Sequence, residues 1–277
     1  MTALFTVAGL EIRMGLRNRW VLATTALMAV LALSITTLGS TPTGSLSVGA
    51  FAVSTASLAS LTIFLVPLMA LLLSYDTIVG DIDQGTMLLT LSYPVSRAEV
   101  LLGKFLGQST IIAFATLVGY GLAASVSAAS LETAPSLDEW QDFGILIASA
   151  SLLGAGFVAL GTACSSIARQ RGAAAGLAVS LWLLFVIVFD LALLGGLVAG
   201  LDVLISEDQF AGLLLLNPAD VFRILNMGSV AGSGLVSGIT AASTGVAISA
   251  PALWGSLILW FIVPLSVAVM AFKRRDI

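Results

Sequence analysis

The chain has 277 residues, of which 58% are hydrophobic and only 9% charged, with a formal net charge of −4. Soluble domains carry roughly 25% charged residues, so there is too little charge here to coat a soluble globule. No histidine is present and cysteine occurs once, at Cys164; this removes the commonest metal ligand and general base, and any internal disulfide.

The apolar runs are long and unbroken, where a β-barrel would alternate over segments of about ten residues. The expected class is an all-α integral membrane protein. Residues 2–18 read as a short helix lying in the membrane interface, with Arg13 and Arg17 on one face at i, i+4 spacing and Phe5, Ile12 and Leu16 on another. Leu4, Val7, Leu10 and Met14 form a second apolar strip. Arg13, Arg17 and Arg19 follow an apolar start instead of leading it, unlike a cleaved signal. Six spans are predicted, at about 20–39, 52–75, 101–128, 143–167, 173–200 and 252–272, as one transmembrane domain over residues 1–277. No charged side chain separates Arg19 from Asp76.

The polar segment 76–100 then interrupts the hydrocarbon character. Met87, Leu88, Leu89 and Leu91 form a short helix whose apolar residues need a surface to cover them. Pro94 ends it, and Ser96 with Glu99 forms the S-x-x-E of a capping box that starts the next helix. After span three comes the acidic loop Glu132 to Asp142; after span four, the basic turn Arg169 to Gly172. Span five contains Asp190, an ionisable group in an apolar run. Residues 201–250 form a long loop with short helices, one starting at Asn217-Pro218-Ala219-Asp220, with Asn as cap, Pro in the first turn and Asp near the positive helix end. The Gly- and Ser-rich stretch "GSVAGSGLVSG" follows it.

Charge sets the orientation. All lysines and arginines except Arg223 fall on one side of a six-span chain, and the other side carries Glu132, Asp138, Glu139, Asp142, Asp202, Glu207, Asp208 and Asp220. The positive-inside rule makes both termini and the segment 80–104 cytoplasmic, in a cell membrane. No basic patch suited to nucleic acid exists.

The chemistry of an engine is missing. There is no G-x-S-x-G and no H-E-x-x-H, and Gly103-Lys104 is followed by Phe105 and lacks the upstream glycine of a P-loop. This chain is therefore not expected to be an enzyme or to hydrolyse ATP by itself. The methionines are scattered, and no metal site is expected. Asp190 has two readings: a place at the outer water boundary, paired with a helix end, or a role in a pathway or its gate. Gly103/Gly107, Gly172/Gly176 and Gly196/Gly200 are small-xxx-small pairs that favour close helix packing.

The motif Asp83-x-Gly85-Thr86, then Leu88-Leu89, then "YPVSRAEVLLGK" (Tyr93 to Lys104) resembles the loop between spans two and three of ABC-2-type transporter permeases. "RNRW" (Arg17 to Trp20), Ser57 to Gly80, "FVIVFDLALL" (Phe185 to Leu194) and "LLLLNPADVFRILN" (Leu213 to Asn226) are similar to the branch of that family serving maturation of nitrous oxide reductase. The resemblance runs over about residues 10–275. Asp81 and Asp83 stand where many members have Glu. The resemblance implies a permease subunit that pairs with a second copy of itself and with a cytoplasmic ABC ATPase, which holds the ATP and magnesium. It also implies docking of an extracytoplasmic β-helical protein, and export of a sulfur-containing species for copper–sulfur cluster assembly.

On that resemblance the ATPase-coupling residues are expected to be Asp81, Asp83, Gly85, Thr86, Leu88, Leu89, Pro94, Arg97 and Glu99, in a cytoplasmic coupling helix. The interfacial helix with Arg13 and Arg17 helps grip the ATPase. Asp190 is the candidate pathway or gate residue, and Asn217, Pro218, Asp220 and Arg223 are the candidate docking residues for the external partner. An ABC-2 exporter of a drug, lipid or glycan, or a membrane assembly or anchoring protein without transport, are the other readings.

Overall fold

A computed structural model describes residues 2–17, 25–27, 29–34, 50–130, 134–200, 206–227 and 248–275. Most of the first predicted span, at about 20–39, lies outside the described residues, as do Arg19, Glu132, Asp202 and the Gly- and Ser-rich stretch. Every regular element among the described residues is helical. Apart from the helical residues 25–27 and 29–34, in chain order they are α1 (Thr2–Arg17), α2 (Ala50–Ser74), α3 (Val79–Asp83), α4 (Thr86–Leu91), α5 (Arg97–Ser130), α6 (Leu137–Ile167) and α7 (Arg171–Leu183). A π-helical turn (Leu184–Val188), α8 (Phe189–Val198), α9 (Glu207–Leu215), α10 (Pro218–Met227) and α11 (Ala250–Arg274) follow.

Five of the described helical stretches are long and apolar enough to cross a membrane: Ser54–Asp83, Arg97–Ala129, Leu137–Ile167, Arg171–Val198 and Ala250–Arg274. The protein is a multi-pass membrane protein. The 34 residues of α5 extend over roughly 50 Å at 1.5 Å per residue, well beyond a hydrocarbon core of about 30 Å. Helix ends therefore project past the apolar layer, and the polar contacts described below gather there.

The starts of the long helices follow from local hydrogen bonding. Glu99 Oε2 accepts from Ser96 N at 3.0 Å, and Glu99 N donates back to Ser96 Oγ at 3.2 Å. That reciprocal box satisfies two donors at the start of α5, so the helix begins at Arg97, ahead of the predicted 101. A second box, Ser136 with Glu139, starts α6 at Leu137, inside the stretch expected to be an acidic loop. The S-x-x-E spacing was present there too; the charges of Asp138, Glu139 and Asp142 read as loop, although acidic residues suit a first helical turn.

α6 is the central helix, packed against α2, α5, α7, α10 and α11. Gly161 permits the closest approach: a Cβ there would collide with Ser74 Oγ on α2. α1 lies along the first half of α5, seated on the Gly103/Gly107 pair. A Cβ at Gly103 would fall 2.7 Å from Val7 Cβ, and one at Gly107 would fall 2.5 Å from Glu11 Cβ. Gly172 and Gly176 face no described protein atom within 4 Å. The strip Leu4, Val7, Ala8, Glu11 and Gly15 thus packs inward, while Phe5, Leu10, Met14 and Leu16 stay exposed beside Arg13 and Arg17. The second expected strip is therefore split, with Leu4 and Val7 facing α5 and Leu10 and Met14 exposed.

Candidate functional site

The segment between the second and third predicted spans forms two helices, where one coupling helix was expected. Gly85 adopts φ +74° between α3 and α4, a left-handed conformation that glycine adopts without the Cβ penalty. The chain therefore turns sharply after Asp83, and Thr86 Oγ1 donates to the Asp81 carbonyl at 3.1 Å. α4 then has one inward and one outward side. Met87 is fully buried with Ile78, Val100, Leu101 and Phe272. Leu88 and Leu89 are 58% and 68% exposed, and Tyr93, just beyond the helix, is 69% exposed. Covering a leucine completely is worth about 1.5–3 kcal/mol, so the pair offers a compact apolar contact.

The charged residues of this segment are used within the chain. Lys104 Nζ lies 2.5 Å from Glu11 and 2.9 Å from Asp81, joining α1, α3 and α5 through a side chain only 10% exposed. Arg171 Nε lies 3.5 Å from Asp83 and 3.3 Å from Asp76 Oδ1, and its Nη2 donates to the Gly80 carbonyl at 2.8 Å. The Asp76 contact is an ion pair by distance without hydrogen-bond geometry, since Oδ1 makes no hydrogen bond. Ser165 Oγ accepts from Ile78 N and Val79 N at 2.9 and 3.0 Å, receiving the N–H groups released by the turn between α2 and α3.

Arg97 and Glu99, expected among the ATPase-coupling residues, make contacts within the chain. Arg97 Nη1 donates to the carbonyls of Phe272, Lys273 and Arg275 at 3.1, 3.3 and 2.5 Å, with its guanidinium 5.8 Å from the Phe272 ring centroid. It closes the C-terminus of α11, where free carbonyls and the helix dipole favour a cation. Glu99 caps α5. Of the expected coupling set, Asp83, Thr86, Leu88, Leu89 and Pro94 are exposed, and Gly85 shapes the turn. Glu11, Asp76, Ser165, Arg171 and Arg275 were not singled out from sequence; an acidic residue inside the basic N-terminal helix was the available signal for Glu11.

At the other end of the bundle, the π-helical turn Leu184–Val188 disturbs the hydrogen-bond ladder of the span that carries Asp190. Asn217 Nδ2 reaches across to the Phe185 carbonyl at 2.8 Å. The same amide donates to Asp220 Oδ2 at 2.9 Å, and its oxygen accepts from Ala219 N at 3.0 Å, making Asn217 the expected cap of α10. Arg223 Nη2 pairs with Asp190 Oδ2 at 2.6 Å, and its Nη1 contacts Asp220 Oδ1. Asn217 and Asp220 are fully buried and Arg223 is 8% exposed.

Asn217, Pro218, Asp220 and Arg223, the expected docking residues for an external partner, are all buried within the chain. The side-chain polar atoms of Asn217, Asp220 and Arg223 are consumed in holding α10 against the span, and Pro218 is buried beside them. Asp190 is paired, through Arg223. Burial pushes the Asp220 carboxyl above the ordinary carboxylate range; Arg223 pulls it back and Asp190 pushes it further up. The hairpin of α9 and α10 is also tied to α11, because the Leu215 carbonyl accepts from Ser256 Oγ and Trp260 Nε1, each at 3.2 Å.

The chain is similar to known transporter subunits along its whole length. The family described as "ABC-2 family transporter protein" matches residues 5–277. A "Probable ABC transporter permease protein NosY" from Stutzerimonas stutzeri is 41% identical over 280 residues, covering 99% of both chains. Another protein of that name, from Pseudomonas aeruginosa, is 42% identical over 277 residues and covers 100% of both. With these relatives and this family match, the chain belongs to the ABC-2 family of transporter permeases.

Proposed function

We propose that this protein is the membrane-spanning subunit of a NosY-like ABC transporter. A separate cytoplasmic ATPase, holding ATP and magnesium, engages α4 through Leu88, Leu89 and Tyr93, and two copies of the chain form the translocation unit. The exported cargo is a sulfur-containing species used to assemble the copper–sulfur cluster of nitrous oxide reductase, and an extracytoplasmic β-helical protein receives it. The end that carries Arg13, Arg17, Arg97, Lys104, Arg169, Arg171 and Lys273 to Arg275 faces the cytoplasm, supported by the positive-inside rule.

The observation that carries this reading is the outward pair Leu88 and Leu89, on a six-residue helix framed by ion pairs to α1, α5 and α7. A short helix held at its flanks with an apolar tip suits insertion into a socket on another protein. Movement of the tip reaches the bundle through Lys104 and Arg171, which bind the same segment to the spanning helices. The cargo assignment draws on the full-length similarity to proteins named NosY and on the Leu213 to Asn226 segment.

The test is co-purification of the ATPase with full-length protein carrying Leu88→Asp and Leu89→Asp. Both positions are exposed, so the expected outcome is an unchanged melting temperature with ATPase recovery lowered at least tenfold. Full recovery of the ATPase would remove α4 as the contact. Loss of nitrous oxide reductase cluster assembly on deletion of the chain, restored by the wild type alone, tests the cargo.

A further inference from the structure

Beyond the coupling segment, the basic end holds a cavity of about 570 Å³. It lies where α6 and α11 end and α3 passes beside them. Three arginines line it, Arg169, Arg274 and Arg275, with Ile82, Ile167 and Ala271 as apolar wall. No carboxylate is among its described lining residues.

The arginines are unequally used. Arg275 Nη1 donates to the Ser165 and Ser166 carbonyls at 3.1 and 3.3 Å, which fixes its guanidinium at the rim. Arg169 and Arg274 are exposed and make no hydrogen bond or ion pair with any described residue. Three like charges around one concavity repel each other, and burial together with Arg169 lowers the Arg275 pKa against the pull of Asp83. An anion relieves that repulsion. Guanidinium groups present forked donors that match phosphate oxygens two at a time, and the forks of Arg169 and Arg274 have no such partner among the described residues.

We infer that this cavity binds a phosphate group, carried by the headgroup of an anionic phospholipid. The apolar wall favours the lipid over free phosphate: Ile167 is 57% exposed beside the charged rim, a pairing suited to a glycerol backbone and the first methylenes of an acyl chain. The cavity also stands at the ends of spanning helices, where headgroups lie, and basic residues near an anionic leaflet gain from its surface potential. Because Ile82 belongs to α3, a bound headgroup touches the segment that leads into α4. Assignment to the cytoplasmic leaflet rests on the orientation proposed above; binding by the purified protein does not depend on it.

The experiment is native mass spectrometry of the full-length protein in neutral detergent, titrated with phosphatidylglycerol, with phosphatidylcholine, or with inorganic phosphate. Alongside run the variant Arg169→Gln/Arg274→Gln and its charge-retaining control Arg169→Lys/Arg274→Lys. The expected result is retention of phosphatidylglycerol at least fivefold above phosphatidylcholine, lost in the Gln pair and partly kept in the Lys pair. Saturable binding of inorganic phosphate that the Gln pair abolishes also supports the phosphate site and assigns free phosphate as the source. Equal retention of both lipids without phosphate binding overturns it. So does unchanged phosphatidylglycerol binding in the Gln pair with loss of ATPase co-purification, which would give the cavity to the protein partner.

Discussion

At the basic end, Lys104, Arg171, Arg97 and Arg275 each bridge elements distant in the chain, and several of the contacts reach solvent. Arg171 and its two carboxylates are each more than a third exposed. At the opposite end a single guanidinium lies between Asp190 and Asp220, with Asn217 closing the cluster, nearly all of it out of water. Similar residue types are used in both places, but the dielectric differs. An exposed pair is worth about 0–1 kcal/mol and is screened by salt, whereas breaking a buried pair costs about 3–5 kcal/mol because the remaining charge stays uncompensated. The basic end is built from ties that are cheap to rearrange; the opposite end is pinned.

The strongest way to break this contrast is to remove Arg223. Arg223→Ala strands two carboxylates, one of them fully buried, and is expected to destabilise the protein by about 3–5 kcal/mol. The readout is the melting temperature of the purified protein, with Arg223→Lys recovering part of the loss. A shift no larger than that of an exposed pair would abolish the distinction between the two ends.

Much of the architecture was legible before the structure. Long apolar runs marked the spanning helices, and Ser96 with Glu99 marked the start of α5. Asn217 was readable as a cap, because capping depends on neighbours a few residues away. Its burial was not readable: the carbonyl that accepts from it lies 32 residues upstream, in the π-helical turn Leu184–Val188. The pairing of Glu11 with Lys104, 93 residues apart, was hidden for the same reason. The split into α3 and α4 turns on Gly85 alone, and a glycine inside a helical pattern does not announce a positive φ.

Lys104 lies between the two extremes, at the basic end yet largely buried. Lys104→Met leaves Glu11 and Asp81 without their shared cation and is expected to cost about 2–3 kcal/mol. Amide exchange in α1 should rise with it, because the tie at Glu11 is lost. Adding Glu11→Gln should return part of the stability. If α1 exchanges as in the wild type, the glycine seam along α5 holds it without help from the charge.

The smallest effect is expected at Arg171. Arg171→Gln or Asp83→Asn should change the melting temperature by the equivalent of less than about 1 kcal/mol, diminishing in high salt. A loss as large as that of Arg223→Ala would show that the segment around α3 is as rigidly fixed as α10.

That α4 receives the ATPase is tested most directly by hydrogen–deuterium exchange across Thr86–Leu91 in the full-length protein, with and without the ATPase bound. At least tenfold slower exchange at Thr86–Leu91 is predicted on binding, with Pro218–Met227 unchanged. Unaltered exchange in α4, with protection appearing elsewhere on the basic end, would contradict it.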